Sequence, residues 1–214
     1  MSPYHGCQGL YAGDPYGEFD QVTTRFTLIA HAPTDAQRRS AFPMDEALDE
    51  REIAKIAALN WYAPRAQQIV SAPELRAQQT ACALGLSSSI AIELRDCDYA
   101  RWGGREMDEI HAEDPDGILA WLTDPSSSPH GGESIENLIN RIGRWIEEQL
   151  DRNHTIAVTH PAVIRGAIVY ALGAQAQAFW RFDIAPLSLT DPRFNGRAWT
   201  LRCVGCSLRT QDGM

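Results

Sequence analysis

The chain contains short β-branched and apolar runs, each ending in a polar residue and a turn. One run covers residues 26–30 and leads to His31, and another covers residues 155–159 and leads to His160. Runs of this length with a polar end predict buried strands of an α/β sheet. Open sheets of this class carry their functional groups at the carboxyl edge of the strands, so both histidines are candidates for one site.

Other strands and helices are predicted to alternate with these two runs. Strands are expected at 68–70 and 90–94. Helices are expected at 48–59, from Pro73 onward, at 135–150 and from Pro161 to Gly173. A closing hairpin is expected between 187–190 and 198–202, with Asn195 and Gly196 in between. This order predicts a three-layer α/β/α sandwich with a mostly parallel central sheet.

Two segments fall outside the alternation. Residues 1–22 have no hydrophobic periodicity, so we expect an N-terminal arm without clear structure. Residues 106–129 contain two short helical patterns with a break at Pro115, followed by a proline- and serine-rich loop. A chain of 214 residues can bury one substantial core, and we expect one domain over 23–210.

Charge and cysteine content narrow the class of protein. The net charge of -9 opposes a nucleic-acid or anionic-membrane partner, because phosphate groups require a basic surface. No run reaches the 18 or so apolar residues of a membrane span, and no secretory signal is recognisable, so we expect a cytoplasmic protein. The odd number of cysteines, five, favours a reducing compartment, with Cys203 and Cys206 as ordinary thiols.

Three further polar stretches accompany the histidines. Residues 71–81 read SAPELRAQQTA after a predicted strand, Asp96 and Asp98 follow another strand, and residues 131–134 read GGES before a long helix. Together with the two histidines, these stretches resemble the histidine phosphatase (phosphoglycerate-mutase-like) superfamily. The similarity extends in the family's order from about Thr24 to Thr210. It implies a phosphoglycerate-mutase-like fold with a cap formed by an insertion around 104–130.

The resemblance also implies roles for particular residues. His31 would be the nucleophile, His160 the second histidine of the pocket and Arg76 a clamp for phosphate. The proton donor would be Asp96 or Asp98, with Glu133 as the third choice. Four more residues are expected to bind substrate or support the pocket: Thr34, Gln37, Arg38 and Glu133. No metal or organic cofactor is implied.

The first motif departs from the family, because Ala30 and Ala32 stand where the family has arginine and glycine around the nucleophile. An arginine fork stabilises the oxygens of a transferring phosphoryl group, and alanine cannot replace it. Losing one such group commonly costs about 10²–10³ in rate. Four nearby arginines are candidates to compensate for the missing charge: Arg38, Arg39, Arg101 and Arg105. Arg165 is expected to point toward the sheet edge as a supporting residue.

The leading functional hypothesis is metal-independent hydrolysis of a small phosphomonoester through a phosphohistidine on His31. The expected partner is therefore a small anionic phosphorylated substrate, and a homodimer is one possible assembly. Two alternatives follow from Ala30 and Ala32. The pocket could act on a less charged ester or thioester, or the fold could serve as a non-catalytic ligand-binding or interaction module.

Overall fold

The computed structural model describes residues 23–59 and 61–208, and a mixed β-sheet forms its centre. The predicted arm at 1–22 lies outside these residues. In the described part the sheet order is β3-β2-β4-β1-β5-β8, with β6 paired to both β1 and β7. The strands are β1 (Thr24–Ala30), β2 (Gln68–Ser71), β3 (Ser89–Ile90), β4 (His154–Thr159), β5 (Ser188–Thr190), β6 (Pro192–Phe194), β7 (Trp199–Leu201) and β8 (Cys206–Ser207).

Seven α-helices connect or flank the strands in the described residues. Proline occupies the first position of two of them, where its missing N–H group costs nothing. The helices are α1 (Asp35–Arg38), α2 (Glu50–Ala57), α3 (Leu75–Ala83), α4 (Met107–Glu113), α5 (Pro115–Thr123), α6 (Ile135–Glu147) and α7 (Pro161–Ala171).

Helices cover both faces of the sheet, which confirms the predicted three-layer arrangement. On one face, β1 and β4 pack through Phe26, Leu28 and Ala157 against α6 and α7. On the other face, Ile29 and Val158 pack near the end of α3. The near-continuous apolar character of β1 and β4 follows from this burial on both faces.

The strand register places the two histidines side by side. β1 and β4 are parallel, and Ala30 pairs with Thr159, so His31 and His160 both follow at the same edge. The backbone N–H of His31 donates to the carbonyl of Thr159 at 2.8 Å. β2 is parallel to β4 on its other side, so the stretch after Ser71 reaches this edge as well.

Two predictions of secondary structure were wrong. The expected strand at 90–94 ends at Ile90, and residues 92–94 form a 3-10 turn; Ile90 and Ile92 are 59% and 56% exposed, so their alternation does not mark a buried face. The hairpin around Gly196 forms between β6 and β7, whereas β5 pairs with β1 and β8. Local propensity was enough to predict β5 and β7, but long-range packing decides which strands they pair with.

The cysteine prediction was also wrong, because Cys203 and Cys206 form a disulfide between β7 and β8. A tight turn brings their Cα atoms within 6.1 Å, a spacing that a disulfide can bridge. Spacing in the sequence cannot reveal whether a turn aligns the two side chains. No helix in the described residues is long and apolar enough to cross a membrane.

The predicted insertion contains α4 and α5, and the break falls at Pro115 as expected. Ile110, Ile118 and Trp121 are buried in one cluster with Trp102 and Phe179. The inner sides of both helices therefore join the core beside the sheet. Their assignment as a cap over the site stays a prediction.

Candidate active site

The edge of the sheet brings together four of the residues singled out from the sequence. The rings of His31 and His160 lie 5.1 Å apart between centroids in an edge-to-face arrangement, and both side chains are almost fully buried. Arg76 enters from the first turn of α3 and is 1% exposed. Asp96, which follows the 3-10 turn after β3, lies between Arg76 and His160.

The bonding of His31 determines which of its nitrogens is free. Its Nδ1 lies 2.7 Å from the carbonyl oxygen of Ala32. A carbonyl only accepts, so Nδ1 carries the proton and Nε2 keeps its lone pair. Burial, followed by the charges of His160 and Arg76, lowers the pKa of His31 to about 3. The imidazole is therefore neutral at physiological pH, as a nucleophile requires.

α3 holds the turn that follows His31. The backbone N–H of Ala32 donates to the hydroxyl of Thr80 at 3.0 Å, and this hydroxyl donates to the carbonyl of Arg76 at 2.6 Å. Thr80 is completely buried. One helix thus positions both a guanidinium of the site and the backbone beside the candidate nucleophile.

Asp96 is bound from several directions. Its Oδ2 accepts from Nη2 of Arg76 at 2.7 Å and lies 3.4 Å from Nδ1 of His160. Its Oδ1 accepts from the backbone N–H of Cys97 at 2.9 Å. Burial would raise the pKa of Asp96, but the charges of His160 and Arg76 outweigh burial and lower it. The carboxylate is thus ionised in the resting site.

Glu74 is a site residue that the sequence analysis missed. Nε2 of His160 lies 2.7 Å from its Oε2, and the backbone N–H of Asp96 donates to its Oε1 at 3.0 Å. Burial opposes ionisation of Glu74, but the hydrogen bond from His160 prevails, so its pKa is lowered. Its position as the N-cap residue of α3, three residues after the end of β2, was the available signal. Glu74 therefore ties the second histidine to the loop of Asp96.

Two cavities meet at Pro43, Asp96 and Tyr99, which line both. The histidine cavity has a volume of about 210 Å³ and is lined by His31, Gln37, Pro43, Asp96, Tyr99, Pro161, Ala162, Arg165 and Ile184. The acidic cavity has a volume of about 260 Å³ and is lined by Pro43, Met44, Asp45, Glu74, Arg76, Asp96, Cys97, Asp98, Tyr99, Ala100 and Gly103. A small anion at Nε2 of His31 would lie in the first, with room for its remaining part in the second.

The other expected site residues, including the second candidate proton donor, lie in different surroundings. Thr34 caps α1 and is buried, and Gln37 contacts it while also lining the histidine cavity. Glu133 forms a two-bond ion pair with Arg141, at 2.8 and 2.6 Å, which anchors the loop before α6. Asp98 is exposed, accepts from the backbone N–H of Ala100 at 2.9 Å and lines the acidic cavity.

The four arginines considered as substitutes for the motif arginine are engaged elsewhere. Each forms an ion pair with at least one carboxylate, and none lines either cavity among the described residues. They are Arg38, Arg39, Arg101 and Arg105. Arg165, which was expected to point toward the sheet edge, lines the histidine cavity at that edge. In the part of the chain that the structure describes, no group of His, Cys, Asp or Glu side chains could hold a metal ion.

A buried histidine pair beside an arginine, at the carboxyl edge of the parallel strands β1, β2 and β4, is the arrangement of an α/β protein that binds its ligand at this edge. The chain belongs to the histidine phosphatase superfamily, branch 1, whose family model matches residues 26–207. This finding confirms the family indicated by the sequence motifs.

Curated relatives share part of this sequence. Bifunctional protein Rv2228c from Mycobacterium tuberculosis is 29% identical over 182 residues, which cover 78% of this chain and 50% of the relative. Glucosyl-3-phosphoglycerate phosphatase from Mycolicibacterium vanbaalenii is 34% identical over 126 residues, which cover 55% and 56%. The chain thus spans about half the length of the curated relatives it matches.

Solved structures show the same fold. Mycobacterial glucosyl-3-phosphoglycerate phosphatase Rv2419c with VO3 superposes with a TM-score of 0.75 at 24% identity, covering 86% of this chain and 99% of that one. Alpha-ribazole phosphatase from Shigella flexneri gives a TM-score of 0.75 at 22% identity, covering 88% and 100%. Identity this low supports the shared fold alone.

Proposed function

We propose that this protein hydrolyses small phosphomonoesters, without a metal, through a phosphohistidine on His31. The observation that carries the proposal is the free Nε2 of a neutral, buried imidazole at a cavity beside Arg76 and His160. Relatives named as phosphatases support the reaction class. The net charge of -9 opposes a nucleic acid as the substrate, because a phosphate backbone requires a basic surface.

In the first step, the lone pair of His31 Nε2 forms a bond to phosphorus while the bond to the leaving oxygen breaks. Asp96 lies where both cavities meet, so we assign it the proton for that oxygen. A dianionic phosphate offsets the positive charges that lower the pKa of Asp96 in the resting site, which favours its protonated form. Arg76 and His160 stabilise the charge on the phosphoryl oxygens.

In the second step, water attacks phosphorus and transfers a proton to Asp96 while the bond between nitrogen and phosphorus breaks. Inorganic phosphate leaves, and His31 returns to its neutral form with Nδ1 donating to Ala32. Glu74 keeps the ring of His160 oriented through its hydrogen bond to Nε2. It is thus a positioning residue in this scheme.

Trapping of the phosphoenzyme tests the proposal. The wild type, quenched in acid after exposure to a panel of labelled phosphomonoesters, is expected to carry label that His31→Ala lacks. His111→Ala is the matched control, because His111 is an exposed histidine on α4 and should leave labelling intact. Turnover of carboxylic esters or thioesters without label would favour a repurposed hydrolase. Ligand binding with no turnover of any ester would favour a non-catalytic module. A cytoplasmic location and a homodimer stay predictions.

A further inference from the structure

The end of β1 leaves the candidate phosphate site one guanidinium short. Position 30 is an alanine, and its side chain is completely buried in the apolar cluster that includes Val70 and Ala77. Arg76 is already engaged, since Nη1 donates to the carbonyl of Met44 at 2.6 Å and Nη2 donates to Asp96. A phosphoryl group in transfer concentrates charge on three non-bridging oxygens, so a second cation would be of value there.

Arg165 is well placed to supply this charge. It lies in the second turn of α7, five residues after His160, and lines the histidine cavity together with His31 and Gln37. Its Nε donates to the carbonyl of Phe182 at 2.8 Å, which holds the guanidinium from one side.

Aromatic rings support the guanidinium of Arg165, whose central carbon lies 5.9 Å and 5.8 Å from the ring centroids of Phe179 and Trp180. The described residues provide no ion-pair partner for Arg165, and its only hydrogen bond to them uses Nε. Its two Nη groups thus remain available to a ligand. Arginine at a partly buried position is normally paired, so an anion is the expected missing partner.

We propose that Arg165 takes the place of the motif arginine that Ala30 lacks and binds the non-bridging oxygens of the phosphoryl group at His31. This inference rests on the proposed function, because it assigns an anion to the same cavity. Phe182, Phe179 and Trp180 hold the guanidinium in position before the substrate arrives, which lowers the entropic cost of binding. The charge thus comes from the helix after the second histidine instead of the strand before the first.

Binding of inorganic phosphate to Arg165→Met, measured by calorimetry, tests this assignment. Methionine keeps much of the apolar stem, so the cavity wall is preserved while the charge is removed. We expect phosphate affinity to fall tenfold or more and kcat/KM for phosphomonoesters to fall by about 10²–10³. Arg165→Lys should recover part of both losses, because it restores the charge without the fork. Arg144→Met is the control, since Arg144 is exposed on α6.

A second measurement needs no variant. Phosphate should protect Arg165 of the wild type from an arginine-specific reagent such as phenylglyoxal, with the modified sites located by mass spectrometry, and should leave Arg144 unprotected. Unchanged phosphate affinity in Arg165→Met, or no protection of Arg165, would overturn the assignment. Neither readout requires turnover, so the role of Arg165 is decided separately from phosphorylation of His31.

Discussion

The two histidines of the site differ in what their ring nitrogens contact. His31 donates from Nδ1 to a backbone carbonyl, whereas both nitrogens of His160 lie near carboxylates, those of Glu74 and Asp96. Two side chains of the same type therefore have different surroundings, although their ring centroids lie only 5.1 Å apart. His31 is suited to attack phosphorus through Nε2, and His160, whose Nε2 is bonded to Glu74, is suited to contact a phosphoryl oxygen through Nδ1.

The lowered pKa of His31 makes a prediction about stability. The unfolded chain binds a proton near pH 6.5, but the folded site resists protonation until about pH 3, so His31 costs stability as pH falls through this window. In His31→Asn the acid limb should be less steep by about 1.4 kcal/mol per pH unit, or about 2 kcal/mol at pH 5. Urea denaturation at pH 5 and pH 7 measures the difference; equal slopes for variant and wild type would contradict it.

The choice between the two candidate proton donors can be tested by varying the leaving group. Asp96→Asn should reduce kcat for alkyl phosphates by about 10²–10⁴, because an alkoxide must be protonated as it leaves. The loss should be much smaller for p-nitrophenyl phosphate, whose leaving group departs readily as an anion. Asp98→Asn is the matched control, because Asp98 is exposed and bonds to a local backbone N–H. A larger selective loss in Asp98→Asn would reverse the assignment.

Among the secondary-structure elements, the contact between α6 and α7 supports the site from behind. α7 begins directly after His160, and its buried face packs against α6. Gly143 of α6 lies under the ring of Tyr170, where an added Cβ would come within 2.5 Å of a ring atom. Gly166 of α7 faces α6, and a Cβ added there would lie 3.5 Å or more from the nearest atoms of α6, which is an ordinary van der Waals contact.

This geometry predicts opposite effects for two similar substitutions. Gly143→Ala should destabilise the protein by about 1–3 kcal/mol, because the new methyl group forces Tyr170 or a helix to move. Gly166→Ala should be neutral or stabilise by up to about 1 kcal/mol, since alanine favours the helix and meets no close atom. Denaturant unfolding of both variants tests the pair. Equal destabilisation would show that α6 and α7 approach each other differently.

At the scale of the whole molecule, the net charge affects which ligands can approach, and the cysteines affect stability under reducing conditions. The net charge of -9 repels anions at long range, so the proposed function requires local guanidinium groups at the cavity to attract the substrate. The disulfide between Cys203 and Cys206 closes a turn next to the outer strand β8, while Cys82 and Cys97 are free. Its small loop limits what it adds to global stability.

Thiol counting under denaturing conditions tests this pairing. Complete reduction should raise the number of reactive thiols by two, and reduction should lower the free energy of unfolding by no more than about 2 kcal/mol, because the loop holds only four residues. Cys203→Ser, which cannot form the disulfide, should have the free energy of unfolding of the reduced wild type and should not respond to reductant. Five reactive thiols before reduction would instead support the prediction of ordinary thiols made from the sequence.

Much of the fold and four of the site residues could be predicted from the sequence. The signals that allowed this prediction are local. They are the strand runs that end at His31 and His160, the stretches that contain Arg76 and Asp96, and the prolines at helix starts. They report burial and backbone preference, which depend on neighbouring residues in the chain. These signals were enough to predict the layered fold and the family.

Only the tertiary structure decided which residues complete the site. Glu74 and Arg165 lie on different helices from each other, and their positions beside His160 and His31 depend on how those helices pack against the sheet. The same holds for the partner of β7 and for the disulfide. Contacts between residues far apart in the chain depend on packing of the whole molecule, which no local pattern encodes.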